Sequence, residues 1–405
     1  MSWLSIRPGS VVAVAALVTG LATGAAPAVV EPAEAVPTVQ AGDAPPHVPG
    51  TLLRRVDPAE QALARMTLAQ RVGQLFMVGT PASAASPLTR AQIDRFHVGN
   101  VMLTGRSRSG TRAPARVVAA LQERADRGAT GGVRLLVATD QEGGQVQVLA
   151  GRGISQMPSA LEQGRWTPGR LRSRAADWAG QLRASGVTMN LAAVADTVPG
   201  PRAAALNPPI GAFDRAFGYT PRVVTSHAVA FARGMSARGV VPTVKHFPGL
   251  GRVHANTDLR TRVTDRVTRR HDPYLAPFRS AVRAGVPVVM MSTAYYARLD
   301  PHRPAAFSPF VIGRMLRGDL GFRGVVVSDD LGSARQVASW TAGQRAVRFV
   351  RAGGDLVLTV DPGTLPSMYD AVLRLARSDR DFRERVERSA LRVLEVKADQ
   401  HLLGG

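Results

Sequence analysis

The sequence GVVPTVKHFPGLG, residues 239–251, decides the fold. Its first six residues are mostly apolar or β-branched, as in a strand that is buried on both faces. Lys245 and His246 follow directly, and Pro248 with two glycines then prevents the strand from continuing. A buried strand that ends in charged side chains and a tight turn is typical of a (β/α)8 barrel, in which functional residues lie at the carboxyl ends of the strands.

The same alternation of strand and helix extends along the chain. Apolar runs predict strands at residues 74–79, 100–104, 134–139, 188–194, 240–244, 286–291, 324–328 and 355–360. Amphipathic segments of helical period separate them, for example at residues 115–127, 171–184, 221–238 and 275–284. This pattern predicts an α/β fold, a single-domain (β/α)8 TIM-type barrel at residues 52–400. A doubly wound sheet is the structural alternative, but the Gly-rich phosphate loop that usually opens such sheets is missing.

The N-terminal segment predicts export. Arg7 precedes an apolar run at residues 11–22, and small residues follow it. This is the pattern of a signal peptide over residues 1–35, since the run is too short to be a comfortable membrane span. A flexible Pro- and Ala-rich leader without a fold is expected at residues 36–51. We therefore expect a secreted protein, extracellular or associated with the cell wall.

The composition excludes several kinds of site. The 405 residues include no cysteine, so disulfides, thiolate metal sites and a lipid anchor on cysteine are excluded, and no membrane anchor is expected after signal cleavage. The net charge is +21, but the basic residues form no long run or aromatic ladder, which argues against nucleic-acid binding. Almost all of the basic residues are arginine, since lysine occurs only at Lys245 and Lys397. A GC-rich genome explains this preference for arginine, and attraction to an anionic polymer such as a cell wall is the alternative interpretation.

Polar side chains follow five of the predicted strands at the same end. They lie at residues 140–142, at Asn190 and Asp196, at Lys245 and His246, at residues 292–295, and at residues 328–330. One such residue, for example Asp330, could simply cap a helix, but five groups in one position indicate a functional mouth. Paired carboxylates among hydrogen-bonding groups, without metal-ligand spacing, suit glycoside hydrolysis. From the residues alone, an aldolase-like or isomerase barrel fits equally well.

Three segments lie at strand ends: TDQEGGQV at residues 139–146, KHFPGLG at residues 245–251 and LGFRGVVVSDDLG at residues 320–332. In these segments the chain resembles glycoside hydrolase family 3, in particular its single-barrel bacterial β-N-acetylhexosaminidases. The resemblance covers nearly the whole chain after the leader. It implies a retaining exo-hydrolase, expected to be a monomer without metal or cofactor, that releases terminal N-acetylglucosamine from saccharides such as peptidoglycan or chitin fragments. Another exo-β-glycosidase of the family is the alternative, and phosphate instead of water as acceptor stays open.

The resemblance also implies roles for individual residues. Asp329, in SDDL, stands where the family has its catalytic nucleophile. Asp140, Lys245 and His246 match residues that bind hydroxyl groups of the terminal sugar. Arg215, in the segment IGAFDRAFG, matches a sugar-binding arginine of a similar family segment that has different spacing.

Two departures from the family pattern concern the acid/base and the substrate. Where the family has Asp-Ser/Thr-His, the loop RVHANTD has Asn256 and Asp258 in place of the aspartate and the histidine. Asp258 is the candidate acid/base if its pocket raises the carboxyl pKa, and His254 is the alternative if the loop closes over the site. If the loop is catalytically idle, the chain is a secreted sugar-binding barrel. In the second departure, Gln145 stands where the family commonly has arginine, so a charge near the sugar is lost.

Overall fold

Eight parallel strands form one barrel in the computed structural model, which describes residues 57–404. In chain order they are β1 Phe76–Pro81, β2 Asn100–Thr104, β3 Leu136–Thr139, β4 Met189–Asn190, β5 Val241–Phe247, β6 Val288–Met291, β7 Val325–Ser328 and β8 Val357–Thr359. Consecutive strands are neighbours, β8 pairs with β1, and a bridge from Val327 to Leu356 joins β7 to β8. The predicted α/β barrel is confirmed, whereas the predicted signal peptide and leader lie outside the described residues.

Helices cover the outside of the barrel. They are α1 Pro58–Arg65, α2 Leu68–Gly73, α3 Pro87–Phe96, α4 Arg112–Gln122, α5 Arg127–Thr130, α6 Ala160–Gln163, α7 Pro168–Ala184, α8 Pro201–Ala205, α9 Pro221–Ser236, α10 Ala276–Arg283, α11 Ala342–Ala352, α12 Leu365–Ser378 and α13 Arg380–Asp399. A π-helix, Phe310–Asp319, precedes β7. Short two- or three-residue strands pair at Gln141–Gly143 with Val146–Gln147, and at Thr264–Asp265 with Tyr295–Tyr296.

Local sequence signals set the starts of the main outer helices. The Thr167 side chain accepts a hydrogen bond from the Arg170 amide, and proline occupies the first turn of α7. Thr220 caps α9 in the same way, again followed by proline. A threonine cap followed by proline is a strong helix start, because proline needs no amide partner there. The predicted helix at residues 171–184 therefore begins one turn earlier, at the Thr-Pro pair.

Alternate strand residues face inward and fill the barrel. The inner set comprises Met77, Met102, Leu136, Ala138, Met189, Val241, Val288, Met290, Val325, Val327 and Leu358. Val393 and Val396 of α13 and Leu402 after it pack against this set. The end of α13 therefore closes one mouth of the barrel, and the carboxyl ends of the strands remain as the other, open mouth.

Lys397 of α13 is fully buried at the closed mouth. Its ammonium donates hydrogen bonds to Gln74 Oε1 and to the Gly99 carbonyl, each at 2.7 Å. Among residues 57–404, no carboxylate forms an ion pair with this ammonium, and burial lowers the Lys397 pKa to about 7.

We expect Lys397 to make the free energy of unfolding rise between about pH 7 and pH 10. The folded pKa is about 7, whereas the unfolded chain has the ordinary lysine value of about 10.4. Between these values the unfolded chain binds more protons, so raising the pH favours the folded state, and below pH 7 this contribution is constant. Denaturant unfolding of the wild type and of Lys397→Met at pH 7, 8 and 9 measures it. Parallel pH dependences in the two proteins would refute the assignment.

Candidate active site

The carboxyl ends of the strands surround a cavity of about 310 Å³. Six of the predicted site residues line it: Asp140 after β3, Arg215 after β4, Lys245 and His246 at the end of β5, Asp258 in the following loop and Asp329 after β7. Met102, Leu250, Met290 and Leu358 add apolar wall. The structure thus brings together residues that lie up to 189 positions apart in the sequence, from 140 to 329.

The loop after β3 is held from two sides. Asn190 of β4 accepts a hydrogen bond from the Gln141 amide and donates one to the Gln141 carbonyl, both at 3.0 Å. Gly143 has a φ of 103°, and a Cβ there would lie 2.2 Å from the Pro158 carbonyl oxygen. Only glycine fits this turn. The flanking carboxylates of Asp140 and Glu142 are thereby held in position.

A row of four charged side chains runs along one wall of the site. The Lys245 ammonium lies 2.6 Å from Asp140 Oδ1 and 2.6 Å from Glu142 Oε1. On the other side of Glu142, the Arg215 guanidinium donates two hydrogen bonds of 2.8 Å to the carboxylate. Lys245 and Glu142 are each only 3% exposed. Two cations and two anions alternate, so the row carries no net charge.

The row favours the ionised forms of Glu142 and Lys245. Burial alone would raise the pKa of Glu142, but the charges of Arg215 and Lys245 outweigh it and lower this pKa to about 2. Burial would lower the pKa of Lys245, but the charges of Asp140 and Glu142 raise it. The sequence predicts no separate role for Glu142. The available sequence signal was the position of Glu142, two residues after Asp140 and close to the end of a buried strand. A carboxylate that is buried there needs a cationic or hydrogen-bonding partner.

Asp196, at the end of the chain segment that follows β4, holds the turn after β5. This carboxylate is fully buried and accepts hydrogen bonds from His246 Nδ1 at 2.7 Å, from the His246 amide at 3.1 Å and from the Leu250 amide at 2.7 Å. Because a carboxylate only accepts, Nδ1 carries the ring proton, and Nε2 is the nitrogen left for a ligand. Gly251 completes the turn, since a Cβ there would lie 1.9 Å from the Thr197 carbonyl oxygen.

Asp258 lies at the rim of the cavity. Its main-chain carbonyl accepts a hydrogen bond from the Arg335 amide at 3.2 Å, which docks the loop on the segment after β7. As a residue it is exposed to solvent. Loss of water around the carboxyl nevertheless raises its pKa to about 6, and the negative charges of Asp329 and Asp330 add to the rise. The condition that the sequence sets for a carboxylic acid/base, a raised pKa, is therefore met.

The two aspartates after β7 have different surroundings. Asp329 Oδ1 accepts one hydrogen bond, from the Asp330 amide at 2.9 Å. Asp330 accepts three, from the amides of Gly332, Ser333 and Val360 at 2.8, 3.0 and 2.9 Å. Asp330 thus caps a turn and ties it to the end of β8, while the Asp329 carboxylate keeps acceptor sites for a ligand.

His254 lies outside the set of residues that line the cavity. It is exposed, and its Nδ1 is 3.3 Å from the Leu206 carbonyl oxygen. Within residues 57–404, no group of His, Asp and Glu is arranged to hold a metal ion. In that same range, no helix is long and apolar enough to cross a membrane.

Comparisons with known proteins point to one family. The model of the glycosyl hydrolase family 3 N-terminal domain matches residues 67–396. A beta-hexosaminidase of Stenotrophomonas maltophilia (strain R551-3) is 33% identical over 309 residues, which are 74% of this chain and 87% of the relative.

Solved structures agree with the sequence relatives. A beta-N-acetylhexosaminidase of Beutenbergia cavernae DSM 12333 is 50% identical, with a TM-score of 0.82 over 82% of this chain and 99% of that chain. A glycoside hydrolase family 3 beta-N-acetylglucosaminidase of Paenibacillus sp. str. FPU-7 is 34% identical, with a TM-score of 0.76 over 84% of this chain and 64% of that chain. The similarity therefore includes both the barrel and the segments that form the cavity.

Replacing Glu142 with glutamine should destabilise the protein by about 3–5 kcal/mol at pH 7, because two buried cations lose their shared anion. The Glu142 pKa is about 2 in the folded protein and about 4.3 in the unfolded chain. Its stabilisation is therefore complete above pH 4.3 and is lost as the pH falls towards 2, so the wild type and the variant should converge there. Denaturant midpoints from pH 7 to pH 2.5 measure this.

Glu162→Gln is the matched control for this variant, since Glu162 is exposed in α6. It makes the same chemical change without removing a buried anion, and it should shift the midpoint by about 0.5 kcal/mol or less. Equal effects of the two substitutions at pH 7 would show that the charged row does not stabilise the fold.

Proposed function

The chain belongs to glycosyl hydrolase family 3, and from its cavity we propose that it is an exo-acting β-N-acetylhexosaminidase. The proposed substrates are cell-wall or chitin-derived saccharides, from which it would remove a terminal N-acetylglucosamine. One observation carries the proposal: Asp329 and Asp258 line the same cavity, and the pKa of the Asp258 carboxyl is raised there. The names of relatives that are 33% and 50% identical support the sugar class.

The volume of the cavity supports exo-action. About 310 Å³ is at the lower limit for small-molecule sites. This space suits one sugar ring with its substituent rather than the interior of a polysaccharide chain. Asp140, Lys245 and His246 would bind the hydroxyl groups of that ring. Arg215 already donates to Glu142 and to the Pro209 carbonyl, so in this proposal it mainly positions the charged row.

The proposed reaction proceeds with retention of configuration. The Asp329 carboxylate attacks the anomeric carbon and forms a glycosyl ester, while the bond from that carbon to the leaving oxygen breaks. Protonated Asp258 transfers its proton to the leaving oxygen. The resulting Asp258 carboxylate then takes a proton from water, which attacks the anomeric carbon and displaces Asp329. No cofactor takes part in these steps.

Export and monomeric state belong to the proposal as well. Export rests on the signal-peptide pattern of residues 1–35. A secreted location would bring the protein to the cell wall, where N-acetylglucosamine polymers are found. Secretion of the full chain into the medium, with removal of the first residues, is the direct observation that would support it.

Asp329→Asn should lower turnover of a chromogenic aryl N-acetyl-β-glucosaminide by roughly a thousandfold or more, because the covalent route is lost. The fold should persist, since the asparagine oxygen can still accept the hydrogen bond from the Asp330 amide. Initial rates and an unfolding curve for each protein test both statements. Asp370→Asn, an exposed aspartate of α12, is the control for losing one negative charge. Similar rates in the wild type and in Asp329→Asn would rule out the nucleophile.

Asp258→Ala should distinguish natural from activated substrates. A sugar leaving group needs a full proton transfer, whereas an activated aryl group needs little. We expect hydrolysis of the natural linkage to fall steeply and glycosylation by a dinitrophenyl glycoside to be largely retained. Added azide should accelerate the second step of this variant and release a glycosyl azide of retained configuration. Product analysis with and without azide measures this.

The pH profile gives an independent test of Asp258. Its carboxyl must be protonated to act as the acid, and its pKa is about 6. In the wild type, kcat/KM for a natural linkage should therefore decline above about pH 6, and this decline should be absent in Asp258→Ala. His254→Ala should retain the decline. If His254→Ala abolishes it, the histidine is the acid, and if the wild type hydrolyses no glycoside, the sugar-binding barrel is the correct interpretation.

A further inference from the structure

Residues 258–262 form an exposed run that begins with Asp258 and lies between two buried residues, Thr257 and Val263. One residue from another part of the barrel binds both ends of this run. We propose that Gln336 is a positioning residue, which holds the run against the segment that follows β7 and so keeps Asp258 at the rim of the sugar cavity. This inference rests on the proposed function, because it concerns the acid of the proposed reaction.

Gln336 makes three hydrogen bonds to the two ends of the run. Its side-chain oxygen accepts from the Val263 amide at 2.9 Å, and its side-chain nitrogen donates to the Val263 carbonyl at 3.0 Å. Its main-chain amide donates to the Thr257 carbonyl at 3.0 Å. The Arg335 amide adds the longer bond of 3.2 Å to the Asp258 carbonyl. The exposed run therefore leaves the barrel and returns to it at one place.

The bonds to Gln336 are shielded from water. Gln336 is 3% exposed, Val263 4% and Thr257 2%. The Val263 carbonyl has a second donor, the Tyr295 amide at 2.9 Å. The Val263 amide instead depends on the Gln336 oxygen, and a buried amide that loses its acceptor is destabilising. Loss of the Gln336 side chain should therefore release the end of the run at residue 263.

The segment that carries Gln336 is itself fixed to the barrel. It begins at Asp329, the proposed nucleophile. The Leu331 amide donates to the Leu358 carbonyl of β8 at 3.0 Å, and the Arg345 side chain of α11 donates to the Leu331 carbonyl at 2.8 Å. The proposed nucleophile and Gln336 thus belong to one anchored segment. A loop that is bound to this segment keeps its position relative to Asp329.

The first half of the loop after β5 has a separate anchor. The Asn207 side chain is buried, and its nitrogen donates to the carbonyls of Leu250 and Val253, both at 2.8 Å. The loop is therefore bound to the barrel on both sides of Asp258. Of the two anchors, Gln336 is the one that binds the residues next to the exposed run.

The charged groups that face the Asp258 carboxyl are not altered by a change at Gln336. They are Asp329 and Asp330 after β7, His246 at the end of β5, and Arg215. Loss of water is the largest cause of the raised Asp258 pKa. A released loop would give this carboxyl more water, so its pKa should fall towards the ordinary aspartate value. The group would then lose its proton, and its function as an acid, at a lower pH.

Gln336→Met tests the inference, because methionine is unbranched and fills similar space without a hydrogen-bonding amide. Gln122→Met is the matched control. The Gln122 side chain makes the same pair of bonds to one residue, accepting from the Leu135 amide and donating to the Leu135 carbonyl, both at 2.9 Å. Gln122 ends α4, and Leu135 precedes β3 at the closed mouth. The two variants lose equivalent bonds, one pair beside the acid and the other far from it.

We expect kcat for a natural N-acetylglucosamine linkage to fall roughly tenfold or more in Gln336→Met, with little change in KM, because a misplaced acid transfers its proton poorly. Hydrolysis of a dinitrophenyl glycoside should stay within about threefold of the wild-type rate, since it needs little protonation. The decline of kcat/KM at high pH should begin at a lower pH. Gln122→Met should keep the wild-type ratio of the two rates and the wild-type pH profile. An unchanged ratio and profile in Gln336→Met, or equal changes in both variants, would overturn the positioning role.

Hydrogen exchange, resolved to single amides, separates this inference from the proposed function. In the wild type the buried Val263 amide should exchange much more slowly than the amides of Thr261 and Arg262, which lie in the exposed run. Gln336→Met should remove this protection. Rapid exchange at Val263 in the wild type would overturn the inference without any variant having to fold. Failure of the wild type to hydrolyse any glycoside would refute the proposed hydrolase, and exchange would still decide whether Gln336 holds the loop.

Discussion

The buried ion pair between Lys245 and Glu142 is the constraint on which the open mouth of the barrel depends. Each partner comes from a different strand end, and Arg215 and Asp140 extend the pair on either side. Removing such charges from water is expensive, and apolar side chains of similar size would often stabilise the fold as well. We therefore infer that the row mainly fixes the positions of its four side chains. It sets the distance between the ends of β3 and β5, across which a sugar would bind.

Asp196 fixes the start of the loop that carries Asp258. It binds both the ring and the amide of His246, and it also binds the Leu250 amide four residues later. The turn therefore leaves the barrel in one direction and delivers residue 258 to the rim. The carboxyl pKa is shifted in opposite directions at the two places. Glu142 lies between cations, which lower its pKa. The Asp258 carboxyl has lost much of its water and lies near other acids, and both effects raise its pKa.

All eight barrel strands were predictable from the sequence, because buried parallel strands are continuous apolar runs. The end of β5 was not. The prediction stopped at residue 244, but the strand continues to Phe247 with Lys245 and His246 buried in it. Their acidic partners make this possible, and those partners lie in the segments that follow β3 and β4. For the same reason Glu142 had no predicted role, since Arg215 is 73 residues away in the chain. Local pattern predicts elements, whereas burial of charge depends on contacts between them.

The proposed mechanism gains a further property from the coupling between Asp258 and Asp329. The negative charge of Asp329 contributes to the raised pKa of Asp258. When Asp329 becomes esterified to the sugar, that charge disappears, and the pKa of Asp258 should fall. The raised pKa keeps Asp258 protonated at the start of the first step, and the loss of the Asp329 charge favours release of the proton as the ester forms. Asp258 is then a carboxylate at the second step, when it must act as base. A carboxyl near the nucleophile can thus change roles within one catalytic cycle without any movement of the barrel.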